Sequence, residues 1–331
     1  MNKALIEVPG FADVQAAAKR IAPYAVRTPL VESPILSALT GGRVFLKLES
    51  LQRTGSFKFR GACNRILMIP EAERAKGVVA FSSGNHAQGV AAAAQLFGIP
   101  ALIVMPKDAP QAKIEGTRAY GAEIVTYDRV VDDREAIAAK FVTERGATLV
   151  KPFDDPGIMA GQGTAGLEIA EDAARFGVRL DAVATPCSGG GLVTGVALAL
   201  KGAGVAATVH SVEPENFDGM RRSLAAHARV TAPGGKLSIA DALMSPVPGH
   251  HVFAAAEGLL GSGIAVNDED LSRAVAFAAL KLKLLVEPGG TAALAALLAG
   301  KLPGKNLALL ISGGNADFAM VAEAVRRHSH P

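Results

Sequence analysis

The stretch GVVAFSSGNHAQGVAAAAQLFGIPALIVMP, residues 77–106, carries the reading of the fold. GVVAF (77–81) and PALIVMP (100–106) are short apolar runs, and HAQGVAAAAQLFG (86–98) between them is an alanine-rich run of helical length. Strand, helix and strand in that order predict two parallel strands joined by a crossover helix. The rhythm continues outward. A helix near Pro110 to Tyr120 leads to EIVTY (123–127) and ATLVKPF (147–153), and a helix around Gly163 to Phe176 leads to LDAVATP (180–186). A helix around Leu192 to Leu200, then TVHSVEP (208–214) and LALLISG (307–313), complete the series. The class is α/β. Ligands of open parallel sheets bind outside the carboxyl ends of the strands, so the glycine-containing loops after those strands are where chemistry should converge.

The chain has 331 residues, half of them hydrophobic and 5% aromatic, which predicts a folded protein of two lobes rather than one core. Its 34 basic and 31 acidic residues leave a charge of +3 with no basic block able to track a phosphate backbone, so nucleic acid is not an expected partner. The amino-terminal MNKALIEVPGFADV lacks the apolar core of a signal peptide, and the most apolar late stretch, Ala274 to Val286, is interrupted by Lys281 and Lys283. No membrane span and a cytoplasmic location are expected. Cys63 and Cys187 predict reduced thiols rather than a disulfide or a zinc site. His250, His251, His328 and His330 read as surface histidines rather than metal ligands.

Four motifs offer chemistry. In KLESLQRTGSFKFRGA (47–62), Lys58 stands between Phe57 and Phe59 after a turn. An amine held near apolar groups loses its charge readily and can attack an aldehyde, although alone it reads more readily as a solvated helix lysine. FSSGNHAQGVAAAA (81–94) supplies Ser82, Ser83, Gly84, Asn85 and His86 at a helix start, where backbone amides bind a carboxylate or the serines simply cap the helix. PCSGGGLVTG (186–195) follows a strand and precedes a helix. Its amides at Ser188, Gly189, Gly190, Gly191 and Leu192 could cradle a phosphate, or its glycines could serve a plain turn. LALLISGGNAD (307–317) ends a buried strand at Ser312, a hydrogen-bonding partner for a ring nitrogen or a residue that ties down the turn.

Together, SFKFRGA, SSGNHAQG, SGGGL and SGGN stand in the order and spacing of the fold-type II pyridoxal-phosphate enzymes, and the chain resembles their threonine/serine dehydratase and serine racemase family over nearly its whole length. AGQGT (160–164) and VEPGG (286–290) share the likeness. The resemblance implies a tryptophan synthase β-like fold of two open, twisted, mostly parallel sheets flanked by helices. Residues 1–76 and 149–331 would form a large cofactor-binding domain and 77–148 a small substrate-gating one. It implies pyridoxal 5'-phosphate on Lys58, beside Phe57, with Asn85 at the phenolic oxygen, the Ser188–Leu192 loop at the phosphate and Ser312 at the pyridine nitrogen. Ser82 to His86 would take the substrate carboxylate, and Ser83 would be the acid/base on the face opposite Lys58. Glu287 in VEPGG would lie near the cofactor or serve as a helix-start carboxylate.

The expected activity is an ammonia-lyase converting a small β-hydroxy amino acid, L-threonine or L-serine first, to a 2-oxo acid and ammonia, with racemisation on the side. Rival readings are a hydroxyaspartate or phenylserine dehydratase, a serine racemase, and a non-catalytic cofactor-binding protein. A cationic group in the pocket would favour hydroxyaspartate, with Arg53 as a candidate. Ala242 in SIADALM, where dehydratases often carry glycine, reshapes the pocket and bears on the choice. Glu213 and Asp218 in VEPENFDGM could bind magnesium or calcium or be ordinary charges, and Gly219 stands where a further carboxylate would be looked for. The end of the chain soon after ISGGNAD predicts no carboxyl-terminal regulatory domain, and a homodimer is the expected assembly.

Overall fold

Apolar runs that are buried along their whole length become the central strands. In the computed structural model, β1 (Leu30–Glu32), β2 (Val44–Leu48), β7 (Ala182–Pro186), β8 (Thr208–Pro214), β9 (Ile264–Val266) and β10 (Leu307–Ile311) form one sheet, in the order β1-β2-β10-β7-β8-β9. A second sheet has the order β5-β4-β3-β6, with β3 at Val78–Phe81, β4 at Ala101–Pro106, β5 at Glu123–Tyr127 and β6 at Thr148–Leu149. The structure describes residues 8–109 and 111–328; MNKALIE, Pro110 and His330 lie outside them. Every pairing is parallel except β1 with β2, at one edge of the six-stranded sheet. The fold is therefore the mostly parallel, two-sheet α/β arrangement that the sequence predicts.

Neighbouring residues of a strand point to opposite faces, and the six-stranded sheet is apolar on both. Leu307, Leu309 and Ile311 of β10 join one core, while Ala308 and Leu310 join the other. The second core is covered by the helices Pro156–Arg175 and Gly191–Gly202. The first of these begins seven residues before the expected Gly163, because Asp155 caps it by accepting the Ile158 N–H at 2.9 Å and Pro156 fits its first turn. AGQGT thus lies inside the helix. Its glycines allow close approach of the neighbouring helix: a Cβ on Gly163 would stand 2.6 Å from the carbonyl oxygen of Gly195.

Arg60, two residues beyond Lys58, anchors the helix Lys58–Leu67. Its guanidinium reaches Glu49 at 2.8 Å and Glu168 at 2.7 Å, and Lys47 reaches Glu168 at 2.5 Å. Arg60, Glu49 and Lys47 are fully buried. Burial opposes charge on Arg60, but Glu49 and Glu168 hold its pKa above the ordinary value. Removing one partner from such a cluster leaves an uncompensated buried charge, so the cluster fixes where this helix begins.

Candidate active site

The carboxyl ends of β3, β7 and β10 meet around a cavity of about 340 Å³. All three motif loops and Lys58 line it, although they are far apart in sequence. Lys58 opens its helix half-buried and donates from Nζ to the carbonyl of Pro152 at 2.6 Å. Its ammonium lies 5.2 Å from the centre of the Phe57 ring, and burial pushes its pKa down to about 7. Near neutrality it is thus part amine, as a nucleophile or a base requires.

After β7 the chain turns through Ser188, Gly189 and Gly190 into the helix starting at Gly191. Gly190 adopts φ +94°, which a side chain would strain, and no side chain caps the helix. Its first N–H groups therefore have no side-chain acceptor, the arrangement at which helix starts bind anions. A Cβ on Gly189 would fall 2.3 Å from the Phe153 ring, so backbone alone fits there. Ser188 accepts the Ser245 N–H at 3.2 Å, and Leu192 is buried just inside the helix. Gln162 of AGQGT also lines the cavity; it is 1% exposed, yet both its amide atoms lack a partner among the described residues. A Cβ on Gly191 would meet its Oε1 at 2.8 Å. Uncapped amides, a glycine cradle and an orphaned amide beside a near-neutral lysine fit a phosphorylated aldehyde such as pyridoxal 5'-phosphate.

Asn85 begins the helix after β3, and its side chain is held from two sides. Nδ2 donates to Glu287 at 2.5 Å, and Oδ1 accepts from Asn315 at 2.8 Å. Burial pushes the Glu287 carboxyl up to about 7 despite the Asn85 bond. Gly84 precedes this helix without a side-chain cap. Ser82 accepts the Gly84 N–H at 3.2 Å, so it braces the turn, and Ser83 lines the cavity beside it. His86 bonds the Val150 carbonyl through Nε2 at 2.9 Å, which makes that nitrogen the donor. Burial, with Lys58 second, pushes its pKa down to about 3, so the ring is neutral. Ser312 is 5% exposed on the cavity wall, and its carbonyl accepts the Phe57 N–H at 3.1 Å.

Glu213 and Asp218 lie away from this wall. Glu213 is buried and accepts the backbone N–H groups of Met220 and Arg221, each at 2.8 Å; burial still raises its pKa to about 8. Asp218 is taken by Arg221 and by Arg222, the latter at 2.6 Å. The oxygens of both carboxylates are thus already engaged by backbone N–H groups and arginines. Arg53 is exposed, 5.9 Å from the Phe59 ring centre, and is not on the cavity wall. Cys63 and Cys187 are buried, which pushes the Cys63 thiol up to about 12 and that of Cys187 well above its ordinary value. Neither is a ready nucleophile.

The sequence motifs did not single out Gln162, Asn315, Lys113, Arg129 or Arg134. AGQGT and SGGN contained the first two without marking a role. The other three come from the four-stranded layer and reach the cavity only through tertiary folding. Arg129 pairs with Asp108 at 2.7 Å and Lys113 with Asp241 at 2.6 Å. Arg134 lies 5.2 Å from the centre of the Phe81 ring, and no carboxylate pairs with it among the described residues.

Fold and site together define an α/β enzyme that sets a near-neutral lysine beside a glycine-rich turn and an uncapped helix start at the carboxyl ends of parallel strands. The family profile described as pyridoxal-phosphate dependent enzyme matches residues 21–313, and the chain belongs to that family. It is 41% identical to an L-threo-3-hydroxyaspartate ammonia-lyase of Pseudomonas sp, over 97% of this chain and 100% of the relative. It is also 41% identical to an L-threonine ammonia-lyase of Thermotoga maritima, over 95% of this chain and 78% of that one. The structure of maize serine racemase superposes with a TM-score of 0.89 at 35% identity, covering 98% of each chain.

Proposed function

We propose that the protein is a pyridoxal-phosphate-dependent ammonia-lyase for a β-hydroxy amino acid with a second carboxylate, the hydroxyaspartate class, with L-serine and L-threonine as poorer substrates. The observation that carries the substrate choice is Arg134, a cavity arginine with no acid partner among the described residues. The ammonia-lyases at 41% identity support the reaction class.

When bound, the cofactor supplies an electron sink for charge left at the substrate's α-carbon. The Ser188–Leu192 loop and Gln162 would hold its phosphate, Asn85, braced by Glu287 and Asn315, would hold its phenolic oxygen, and Ser312 would bond its ring nitrogen. The uncapped N–H groups at Gly84 to His86 take the α-carboxylate. Arg134 takes the distal carboxylate. Lys58, as a neutral amine, would remove the α-proton; that proton and the β-hydroxyl leave together as water, and a second water then releases ammonia and the 2-oxo acid. Ser83 delivers a proton from the opposite face, which gives slow racemisation. Its replacement by alanine should suppress racemisation more than elimination.

The same reading assigns residues 77–148, which contain β3 to β5, to a small gating domain and the remainder to the cofactor domain. It takes the protein to be a cytoplasmic homodimer, the dimer to be checked by light scattering. Among the described residues no helix is long and apolar enough to cross a membrane. No step is assigned to magnesium or calcium.

The test is 2-oxo acid release by the holoenzyme from hydroxyaspartate diastereomers, serine, threonine and phenylserine, repeated with Arg134→Gln. The variant should raise KM for hydroxyaspartate about tenfold or more, as expected for a lost charge-assisted bond, and leave serine unchanged. Preference for threonine or serine with no effect of the variant would return the assignment to a threonine/serine ammonia-lyase.

A further inference from the structure

Among the described residues, a single ion pair joins residues 77–148 to the rest of the chain: Lys113 to Asp241, at 2.6 Å. Lys113 lies on the helix Gln111–Ala119, and Asp241 opens the short turn Asp241–Leu243. Both line the cavity, and the pair spans two of its walls. On one side, the Lys113 ammonium stands 3.6 Å from where a Cβ on Gly84 would be, directly against the carboxylate loop. On the other, Ala242 and Leu243 follow Asp241 and sit against Gly289 of VEPGG. The Lys113 side chain is 15% exposed and that of Asp241 48%. Leu237 lines the same cavity yet is 70% exposed, an apolar edge with little over it.

We propose that Lys113 and Asp241 form the latch that holds residues 77–148 closed over an amino acid in the cavity, which makes them positioning residues for the elimination. A pair half open to water contributes weakly, so it can break and re-form in each turnover, unlike the buried Arg60 cluster. Its two ends sit on the segments whose separation sets the width of the mouth. Closing it brings the Ser82–His86 loop toward the wall that carries Ala242, and opening it releases product.

The inference rests on the elimination reading above, so its test includes a measurement that needs no substrate. Hydrogen–deuterium exchange on the holoenzyme alone should show faster exchange in residues 82–86 and 111–119 for both Asp241→Asn and Lys113→Gln, with 188–202 unchanged. In turnover, with whichever amino acid releases a 2-oxo acid, each variant should raise KM about two- to fivefold, with the effect on KM rather than kcat. The double variant should be no worse than either single one, because both remove the same contact. Unchanged exchange in either variant overturns the latch. So do additive effects on KM, which would make Lys113 a direct substrate contact, or a fall in kcat at constant KM. Altered exchange without 2-oxo acid from any substrate would sink the elimination reading and leave the latch standing.

Discussion

Two strand-to-helix turns face the cavity, Phe81–Asn85 after β3 and Pro186–Gly191 after β7, and both start helices that no side chain caps. They differ in what surrounds them. A Cβ on Gly189 would collide with the Phe153 ring at 2.3 Å, and one on Gly190 with Met220 and Val252 at 2.6 Å. A Cβ on Gly84 would meet only the flexible Lys113 side chain, at 3.6 Å or beyond. The first turn is half-buried and bordered by a salt bridge; the second is enclosed by the core. The same local motif is therefore enclosed by packing on every side after β7 and has room beside a flexible side chain after β3.

Lys58 stands between the two turns, and its loss should have the largest effect. Lys58→Ala is expected to lower turnover roughly 10³-fold or more and to abolish borohydride fixation of the cofactor to the protein. Retained fixation would move the attachment point elsewhere. The comparison itself is broken most directly by paired glycine substitutions. Gly189→Ala should lose cofactor on gel filtration, because overpacking at an enclosed site costs about 1–3 kcal/mol. Gly84→Ala should keep its cofactor and change KM instead. Equal cofactor loss in both would mean that the turns do not differ as described.

A pH series sharpens the picture of the lysine. Burial lowers the Lys58 pKa to about 7, so the neutral amine gains about tenfold per pH unit below 7 and saturates above it. Cofactor uptake by the apoenzyme should follow that curve; uptake still climbing steeply at pH 9 would indicate an ordinary solvated lysine. Ser82→Ala tests the smallest effect. It removes the brace to the Gly84 N–H and should cost about 1 kcal/mol in thermal or denaturant unfolding, with little change in cofactor affinity.

The sequence made most of this site legible because its chemistry is local. Lys58, Asn85, Ser188 to Leu192 and Ser312 each sit in a short motif at a strand end or helix start, and the structure brings all of them, with Phe57, Ser83 and Glu287, to one cavity. Gln162 was hidden for a physical reason. A glutamine inside a helix becomes conspicuous only when its amide is seen buried without partners. Glu213 and Asp218 show the opposite case: two acids close in sequence suggest a cation, and only the structure shows that the start of the helix Gly219–Ala226 and two arginines engage them.

By itself the sequence determined the alternation of apolar strands and alanine-rich helices, the turns that leave amides free, and the lysine among aromatics, since periodicity and turn chemistry act over a few residues. The tertiary structure alone decided that Asn315 and Glu287 clamp Asn85, that Lys113 meets Asp241, and that Arg134 rather than Arg53 reaches the cavity wall. Those contacts join residues brought together by sheet order and helix placement, and their strength depends on burial, which no short stretch of sequence carries.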